Sequence, residues 1–271
     1  MHRCRSCELR PQIKKPSLSA DSTLIEIQVN DETAVCRLGD ILADVLIASG
    51  HPVPMLCRHP KLPAFSACRV CIVEVTEQGR TRVVSSCDFQ VTHPLSVQTD
   101  TPRIQHHREV IFGLLRLEAP NAECIHALAR DFHVSLDPMS FRIEGELNCI
   151  RCGRCVSVCQ TVVMRNALEM SYRSRQMRPA FAFGEETGDD CDNCGACAAV
   201  CPTGARKTAH DPLSKDGPLC NFCTLICPEG AVSKSPDTGE PVIDRTRCKK
   251  CGLCVHYCPE GALREESDCD R

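Results

Sequence analysis

The chain of 271 residues has no tryptophan, two tyrosines and eight phenylalanines. A wide core built on aromatic rings is therefore excluded. No apolar run approaches the ~18 residues that a membrane-spanning helix needs. Positive charge gives no surplus either, with 32 Lys and Arg against 35 Asp and Glu and a net charge of −3. That balance argues against a nucleic-acid binder relying on a broad basic field. The opening stretch, MHRCRSCELRPQIKK, is basic but lacks the apolar centre of a secretory signal. There is no G-x-G-x-x-G after a strand, no phosphate loop and no nucleophile–base pair. The sequence offers nothing with which to turn over an organic substrate.

Cysteine is what it has in excess: 24 residues, nearly one in eleven. At that density cysteine means disulfides or metal. Disulfides need an oxidising compartment. Without a signal segment the chain reads as cytoplasmic, where cysteine clusters hold metal, and such cross-links supply stability that a small core cannot.

The pattern predicts a flexible N-terminus over 1–22 and a small α+β sheet domain over 23–100. LIEIQV (24–29) has apolar residues on both faces, and TAVCRL returns as a strand after Asn30-Asp31. DILADVLIASG (40–50) reads as a short amphipathic helix with Asp40 as its N-cap and Gly50 as its stop. CRVCIVEVT and TRVVSS read as strands around Gln78-Gly79, and LSVQT (95–99) as the last strand. Thr101-Pro102 then opens a helix with an apolar stripe of Ile104, Ile111, Leu114 and Leu115, within a helical linker over 101–146. The linker is ambiguous from 118 onward. From Cys149 the chain becomes cysteine runs with turn-rich links: CIRCGRCVSVC (149–159), CDNCGACAAVCP (191–202) and CKKCGLCVHYCP (248–259) share one spacing. A fourth, GPLCNFCTLICPEGA (217–231), has Gly217 where the first cysteine belongs. Two further domains are expected, over 147–210 and 211–264, with a tail over 265–271.

Three cysteines at two-residue intervals put three thiolates around one compact loop, which suits three corners of an iron–sulfur cubane. The fourth lies beyond reach of that cubane and ligates its neighbour, so the runs work in pairs. Cys149, Cys152, Cys155 and Cys201 are then the ligands of one [4Fe–4S] cluster. Cys191, Cys194, Cys197 and Cys159 are those of a second, and Cys248, Cys251, Cys254 and Cys227 those of a third. Zinc sites normally use two separated pairs instead. Cys220, Cys223 and Cys258 are left for an incomplete site. It calls for a [3Fe–4S] cluster, or a fourth [4Fe–4S] cluster with an oxygen or nitrogen donor, for which Asp216 and His210 are nearest. Cys57, Cys68, Cys71 and Cys87 follow another rhythm, a loop leading into a strand with a distant fourth thiol. Small residues surround it, as a [2Fe–2S] cluster requires. Four buried structural thiols are the alternative, since free cysteine packs as a small hydrophobe.

HPVPMLCRHPKLPAFSACRVCIVEV…VVSSC resembles the N-terminal [2Fe–2S] domain of the large iron–sulfur subunit of respiratory complex I. It is also similar to the diaphorase small subunit of NAD-reducing hydrogenases and to the N-terminus of iron-only hydrogenases. CIRCGRCVSVC and CDNCGACAAVCPTGA resemble the [4Fe–4S] pair of that family, so the likeness covers about 24–207. It implies a β-grasp ferredoxin fold followed by bacterial-type 2[4Fe–4S] ferredoxin domains. One feature departs from it. The family places a His-plus-three-Cys cluster between these domains, roughly H-P-x-x-C-x₂-C-x₅-C. Here PNAECIHALARDFH keeps only Cys124, with Pro120 and Ala127 in place of a ligand histidine and cysteine, and His126 and His133 nearby. That cluster is read as lost and Cys124 as a buried thiol. The stretch 214–264 resembles the two-cluster ferredoxin subunit of pyruvate:ferredoxin oxidoreductases.

Cys36 reads as core, Cys4-x₂-Cys7 as a disordered terminal pair with half of a metal site as the alternative, and Cys269 is left unassigned. Arg165, Arg173, Arg175 and Arg178 read as a solvated or subunit-facing surface. The resemblance implies a non-catalytic electron-transfer subunit of a hetero-oligomeric oxidoreductase. Its partners would be a flavoprotein that oxidises NAD(P)H and a catalytic subunit such as a hydrogenase, or a ferredoxin, with no nucleic acid involved. A 2-oxoacid oxidoreductase or formate dehydrogenase complex is the rival within the class, and a zinc-binding interaction module the rival outside it.

Overall fold

Alternation sets the first strand. In β1 (Leu24–Val29), Ile25, Ile27 and Val29 point inward and Leu24, Glu26 and Gln28 outward. The strand therefore has one buried face, not two, and Leu24 stays 66% exposed. Asn30 adopts positive φ, as a tight turn requires, and the chain returns antiparallel as β2 (Glu32–Arg37). The Asn30 Oδ1 also accepts a hydrogen bond from the Thr99 amide at 3.0 Å, pinning this turn to the chain that follows the last strand of the sheet.

The structure, a computed structural model, describes residues 23–136, 148–173, 177–182, 191, 193–206, 222–236, 238–258 and 263. The chain divides into two units, Met1–Pro60 with Ala64–Cys152 and Lys61–Pro63 with Gly153–Arg271. In the first unit, helix α1 (Leu42–Ala48) buries Leu42, Ala43, Val45 and Leu46. Asp40 is not its N-cap. Its carboxylate accepts from the Arg37 amide at 2.8 Å and closes the turn after β2, and Ile41 holds the capping position with no side-chain bond. Gln78 and Gly79, both at positive φ, join β3 (Ile72–Glu77) to β4 (Arg80–Ser85) in a two-residue hairpin. The last strand, β5 (Ser96–Gln98), lies between β1 and β3, parallel to the first and antiparallel to the second. The order is β2-β1-β5-β3-β4, a β-grasp-like sheet with α1 packed on one face.

Helix α2 (Pro102–Glu118) opens as its sequence predicts, with Thr101 accepting from the Ile104 amide at 3.2 Å and Pro102 in the first turn. Its buried face differs from the predicted stripe. Ile104, Arg108, Phe112 and Leu115 face inward, while Leu114 is 47% exposed. The stripe follows the i, i+4, i+8 row, and a charged residue occupies one of its positions. The ambiguous stretch after it holds a second helix, α3 (Glu123–Asp131).

The second unit is built from very short elements. Helix α4 (Arg154–Thr161), the hairpin β6 (Leu168–Ser171) and β7 (Arg178–Phe181), and helix α5 (Ala196–Ala199) come first. The same order then repeats: α6 (Phe222–Ile226), β8 (Val232–Lys234) with β9 (Pro241–Ile243), and α7 (Leu253–His256). The cysteine runs sit on the helices and the loops before them. None of these strands was predicted, because each is three or four residues long and lies among turn-rich links between cysteine runs. No helix among the described residues is long and apolar enough to cross a membrane.

Candidate metal centres

Cys57, Cys68, Cys71 and Cys87 are 4%, 5%, 1% and 1% exposed. The loop that carries the middle two passes through positive φ at Ser66 and Arg69 before entering β3, and Cys87 follows β4. Those turns direct main-chain donors at sulfur. The Cys57 amide donates to the Cys68 Sγ at 3.4 Å, the amides of Ala67 and Cys68 face the Cys57 sulfur, and that of Cys87 faces Cys71. The Ser66 hydroxyl lies 3.5 Å from the Cys87 Sγ. The four thiols are also joined to one another, Cys57 to Cys68 and to Cys87, and Cys87 to Cys71. Hydrogen bonds from Cys68 and Cys87 pull the Cys57 thiol down to about 2, and those from Cys87 pull Cys71 down to about 7. Their donors Cys68 and Cys87 are pushed up, by giving those bonds and by burial. Four buried thiols meet here with main-chain amides aimed at them, which is the donor set an anionic iron–sulfur cluster takes.

Two arginines stand at this site. Arg58 is held by the Asp44 carboxylate in a two-pronged pair at 2.5 and 2.7 Å. Arg108, 2% exposed, donates to the Ile72 carbonyl at 3.0 Å, one residue from Cys71. Burial lowers its pKa, while the charges of Asp100 and Cys71 oppose that shift.

The three complete runs share a backbone. The residue before the second cysteine has positive φ (Arg151 54°, Asn193 51°, Lys250 54°), and so has the glycine after it (Gly153 75°, Gly195 75°, Gly252 73°). Two left-handed residues so close together wrap the chain around a point, and the glycine of each run starts α4, α5 or α7. The glycine is there because a side chain would be strained at that φ.

The boundary between the units falls inside the first run, after Cys152, so its cysteines are placed unit by unit. In the first unit Cys149 is half-buried, and Cys152 is packed in one core with Cys57, Cys68 and Cys124. In the second unit Cys155 is buried and Cys201 half-buried. The second set lies wholly in the second unit. Cys159, Cys191, Cys194 and Cys197 line a pocket of about 210 Å³ with Leu168, Phe181 and Arg206. The amides of Leu168 and Ala167 face the Cys159 sulfur, and burial raises the thiols of Cys159 and Cys194. Arg206 lies over the Phe181 ring at 5.1 Å, and its Nε is buried without a partner. A pocket with four sulfurs on its wall and an orphaned cationic donor beside them fits an anionic cluster.

In the last repeat, Cys227 and Cys248 act electrostatically on Cys254, which burial raises, and the Ala231 amide donates to the Cys227 Sγ at 3.3 Å. Cys251 is exposed. Cys223 is raised by burial, with Lys234 opposing the shift and Cys258 adding to it, so structure brings Cys223 and Cys258 near each other. Cys220, Asp216, His210 and Gly217 lie outside the described residues, as do Cys4, Cys7, Cys269 and Arg175. Among the described residues no three His, Cys, Asp or Glu side chains are spaced for a single metal ion.

Cys124 and Cys36 are buried, as expected. The His126 ring lies 3.3 Å from the Pro120 carbonyl. Arg178 lies over the Tyr172 ring at 4.7 Å. Arg108 and Arg206 were missed by sequence reasoning, and no local signal marks either.

Residues 22–102 match the family described as "2Fe-2S iron-sulfur cluster binding domain", and residues 148–205 and 218–262 match the "4Fe-4S dicluster domain". The chain is 26% identical over 171 residues to an NADH-quinone oxidoreductase subunit of Rhizobium meliloti (strain 1021), covering 54% of this chain and 20% of that protein. It is 30% identical over 168 residues to the NADP-reducing hydrogenase subunit HndD of Solidesulfovibrio fructosivorans, covering 52% of this chain and 28% of that one. The chain therefore spans about a quarter of the length of these relatives. A crystal structure of NAD+-reducing [NiFe]-hydrogenase in the H2-reduced state contains a chain of similar fold, with a TM-score of 0.59 and 20% identity over 70% of this chain and 89% of that one. The resemblance to complex I and hydrogenase subunits read from the cysteine motifs stands. This is an iron–sulfur protein with an N-terminal 2Fe–2S domain and a 4Fe–4S dicluster domain.

Proposed function

We propose that the chain relays electrons within a cytoplasmic, hetero-oligomeric oxidoreductase, between a subunit that handles NAD(P)H through flavin and a catalytic subunit or ferredoxin. Bound iron–sulfur clusters supply one-electron exchange, and the protein sets their spacing, potential and access to water. Cys57, Cys68, Cys71 and Cys87 would hold the [2Fe–2S] cluster. Cys149, Cys152, Cys155 and Cys201, then Cys191, Cys194, Cys197 and Cys159, then Cys248, Cys251, Cys254 and Cys227, would hold [4Fe–4S] clusters. On this reading 147–210 and 211–264 are two successive dicluster domains, and the helix–hairpin–helix repeat supports that division.

The observation that carries the reading is continuity of buried packing between thiols of different sets. In the first unit Cys57 and Cys68 share one core with Cys152, through Val70 and Phe112. In the second, Cys155 packs in one core with Cys159, Cys191 and Cys197, and Cys223 packs in another with Cys227 and Cys254. Dry, packed side chains between neighbouring sets of ligands keep water away from the centres and fix their separations. Anaerobic purification of the whole chain, followed by iron and sulfide analysis and EPR of the reduced protein, tests the proposal. One [2Fe–2S] signal with several interacting [4Fe–4S] signals is expected, and zinc without iron would overturn it. Co-purifying subunits of the native complex would identify donor and acceptor.

A further inference from the structure

We infer that Arg108 raises the reduction potential of the [2Fe–2S] centre, by placing a buried positive charge with no bonded carboxylate beside the Cys71 segment from the neighbouring helix. The inference rests on the [2Fe–2S] reading above. Arg108 projects from the middle of α2 onto the start of β3, and only 2% of it is exposed. Its Nη2 donates to the Ile72 carbonyl at 3.0 Å, which anchors the guanidinium one residue from the Cys71 sulfur. Its Nε is buried with no partner. A buried guanidinium donor left unpaired costs stability unless something else draws the charge there.

The neighbouring arginine shows the contrast. Arg58 is also near Cys71 and Cys87, but the Asp44 carboxylate grips it at 2.5 and 2.7 Å and neutralises most of its field. Among the described residues no carboxylate makes such a contact with Arg108, and Asp100 acts on it only at longer range. Reduction adds an electron to a cluster that is already anionic. A positive charge in a dry, weakly screened site favours the reduced state and raises the potential. Arg108 is a positioning residue in this sense: it touches the segment that carries Cys71 and acts on the centre through its charge. An arginine serving only to tie α2 to β3 would do so through the Ile72 bond, whatever its charge did.

The test is a potentiometric titration of the [2Fe–2S] EPR signal in the intact chain. R108M fills the same space without charge and is expected to lower the midpoint potential. R108K keeps the charge and is expected to recover most of the wild-type value. D100N, a change at an exposed residue, removes the opposing charge and is expected to raise the potential. R108M at the wild-type potential would overturn the inference, as would R108K falling as far as R108M. If R108M does not retain its cluster, R108Q, which keeps a buried amide donor without the charge, decides: a lowered potential supports the inference and the wild-type potential refutes it. Absence of any [2Fe–2S] signal from the wild-type chain would instead remove the cluster reading on which all of this stands.

Discussion

Cys68 is the residue on which the first centre turns. Its sulfur accepts from the Cys57 amide, its thiol bonds to Cys57, and the loop around it is bent by Ser66 and Arg69 at positive φ. Replacing it with serine substitutes a poor iron ligand while leaving the fold's apolar core in place. Cys68→Ser is expected to remove or strongly alter the [2Fe–2S] EPR signal and to spare the [4Fe–4S] signals; an unchanged [2Fe–2S] spectrum would count against the assignment. That Cys57, Cys68, Cys71 and Cys87 would meet was legible in the sequence, because Cys68-x₂-Cys71 leads into a strand and the hairpin that follows returns Cys87 to its start. Arg108 was not, since an arginine on a buried helix face can be understood only once a carbonyl and an anionic site are placed opposite it. Asp40 shows the same limit at a smaller distance. A carboxylate before an apolar run suggests a helix cap, but the Arg37 amide was nearer and took it.

Elements carry the next level of stability. The β3–β4 hairpin is closed at its turn by Glu77, which accepts from Arg82 at 2.5 and 2.9 Å and lies 2.7 Å from the His93 ring. Hydrogen bonds from Arg82, and then from His93, hold this carboxyl below the usual carboxylate range. A depressed folded pKa means that the contribution is complete above the unfolded carboxylate pKa and is lost as pH falls through the folded value. The difference in melting temperature between wild type and Glu77→Gln is therefore expected to be largest near neutral pH and to shrink on acidification. A difference that stays constant with pH would exclude the link. Helix α2 is tied at two points. Thr101→Ala removes its cap and should cost about 1 kcal/mol in denaturant unfolding. Phe112→Ala empties a fully buried site and should cost about 3–5 kcal/mol. The six-residue strands β1 to β4 and helix α2 were readable because six residues of alternation, or a cap followed by proline, are enough to set a period, and the three-residue β5 was readable from its apolar Leu95 and Val97 alone. The hairpins β6–β7 and β8–β9 were not, because strands this short form only when the flanking cysteine loops bring them together.

Across the whole molecule, one motif is used four times, and the copy beginning at Gly217 is the one that differs. Its remaining grammar is intact in sequence: two-residue then three-residue spacing, Pro228 after Cys227, and an intact partner run that offers Cys258. Two of its thiols are among the described residues. Cys223 and Cys258 are 8% and 7% exposed, close enough to act on each other, and Lys234 supplies a positive charge beside Cys223. We propose that a cluster binds through Cys220, Cys223 and Cys258. The four-iron form is expected, with Asp216 or His210 as the fourth donor. The whole chain should then hold about eighteen irons, against about seventeen for a [3Fe–4S] cluster and about fourteen for an empty site. Cys223→Ser should lower the count by about four and leave the [2Fe–2S] signal in place. A wild-type count near fourteen, unchanged in Cys223→Ser, would mean that the site is empty. If the cluster is present, Asp216→Ala and His210→Ala separate the two candidate donors: the variant that loses one iron and gains the EPR signal of an oxidised three-iron cluster identifies the ligand. A cluster held by an oxygen or nitrogen donor differs from its cysteine-ligated neighbours in potential and is more open to oxygen, so that site is expected to be the first to lose iron when the protein is exposed to air.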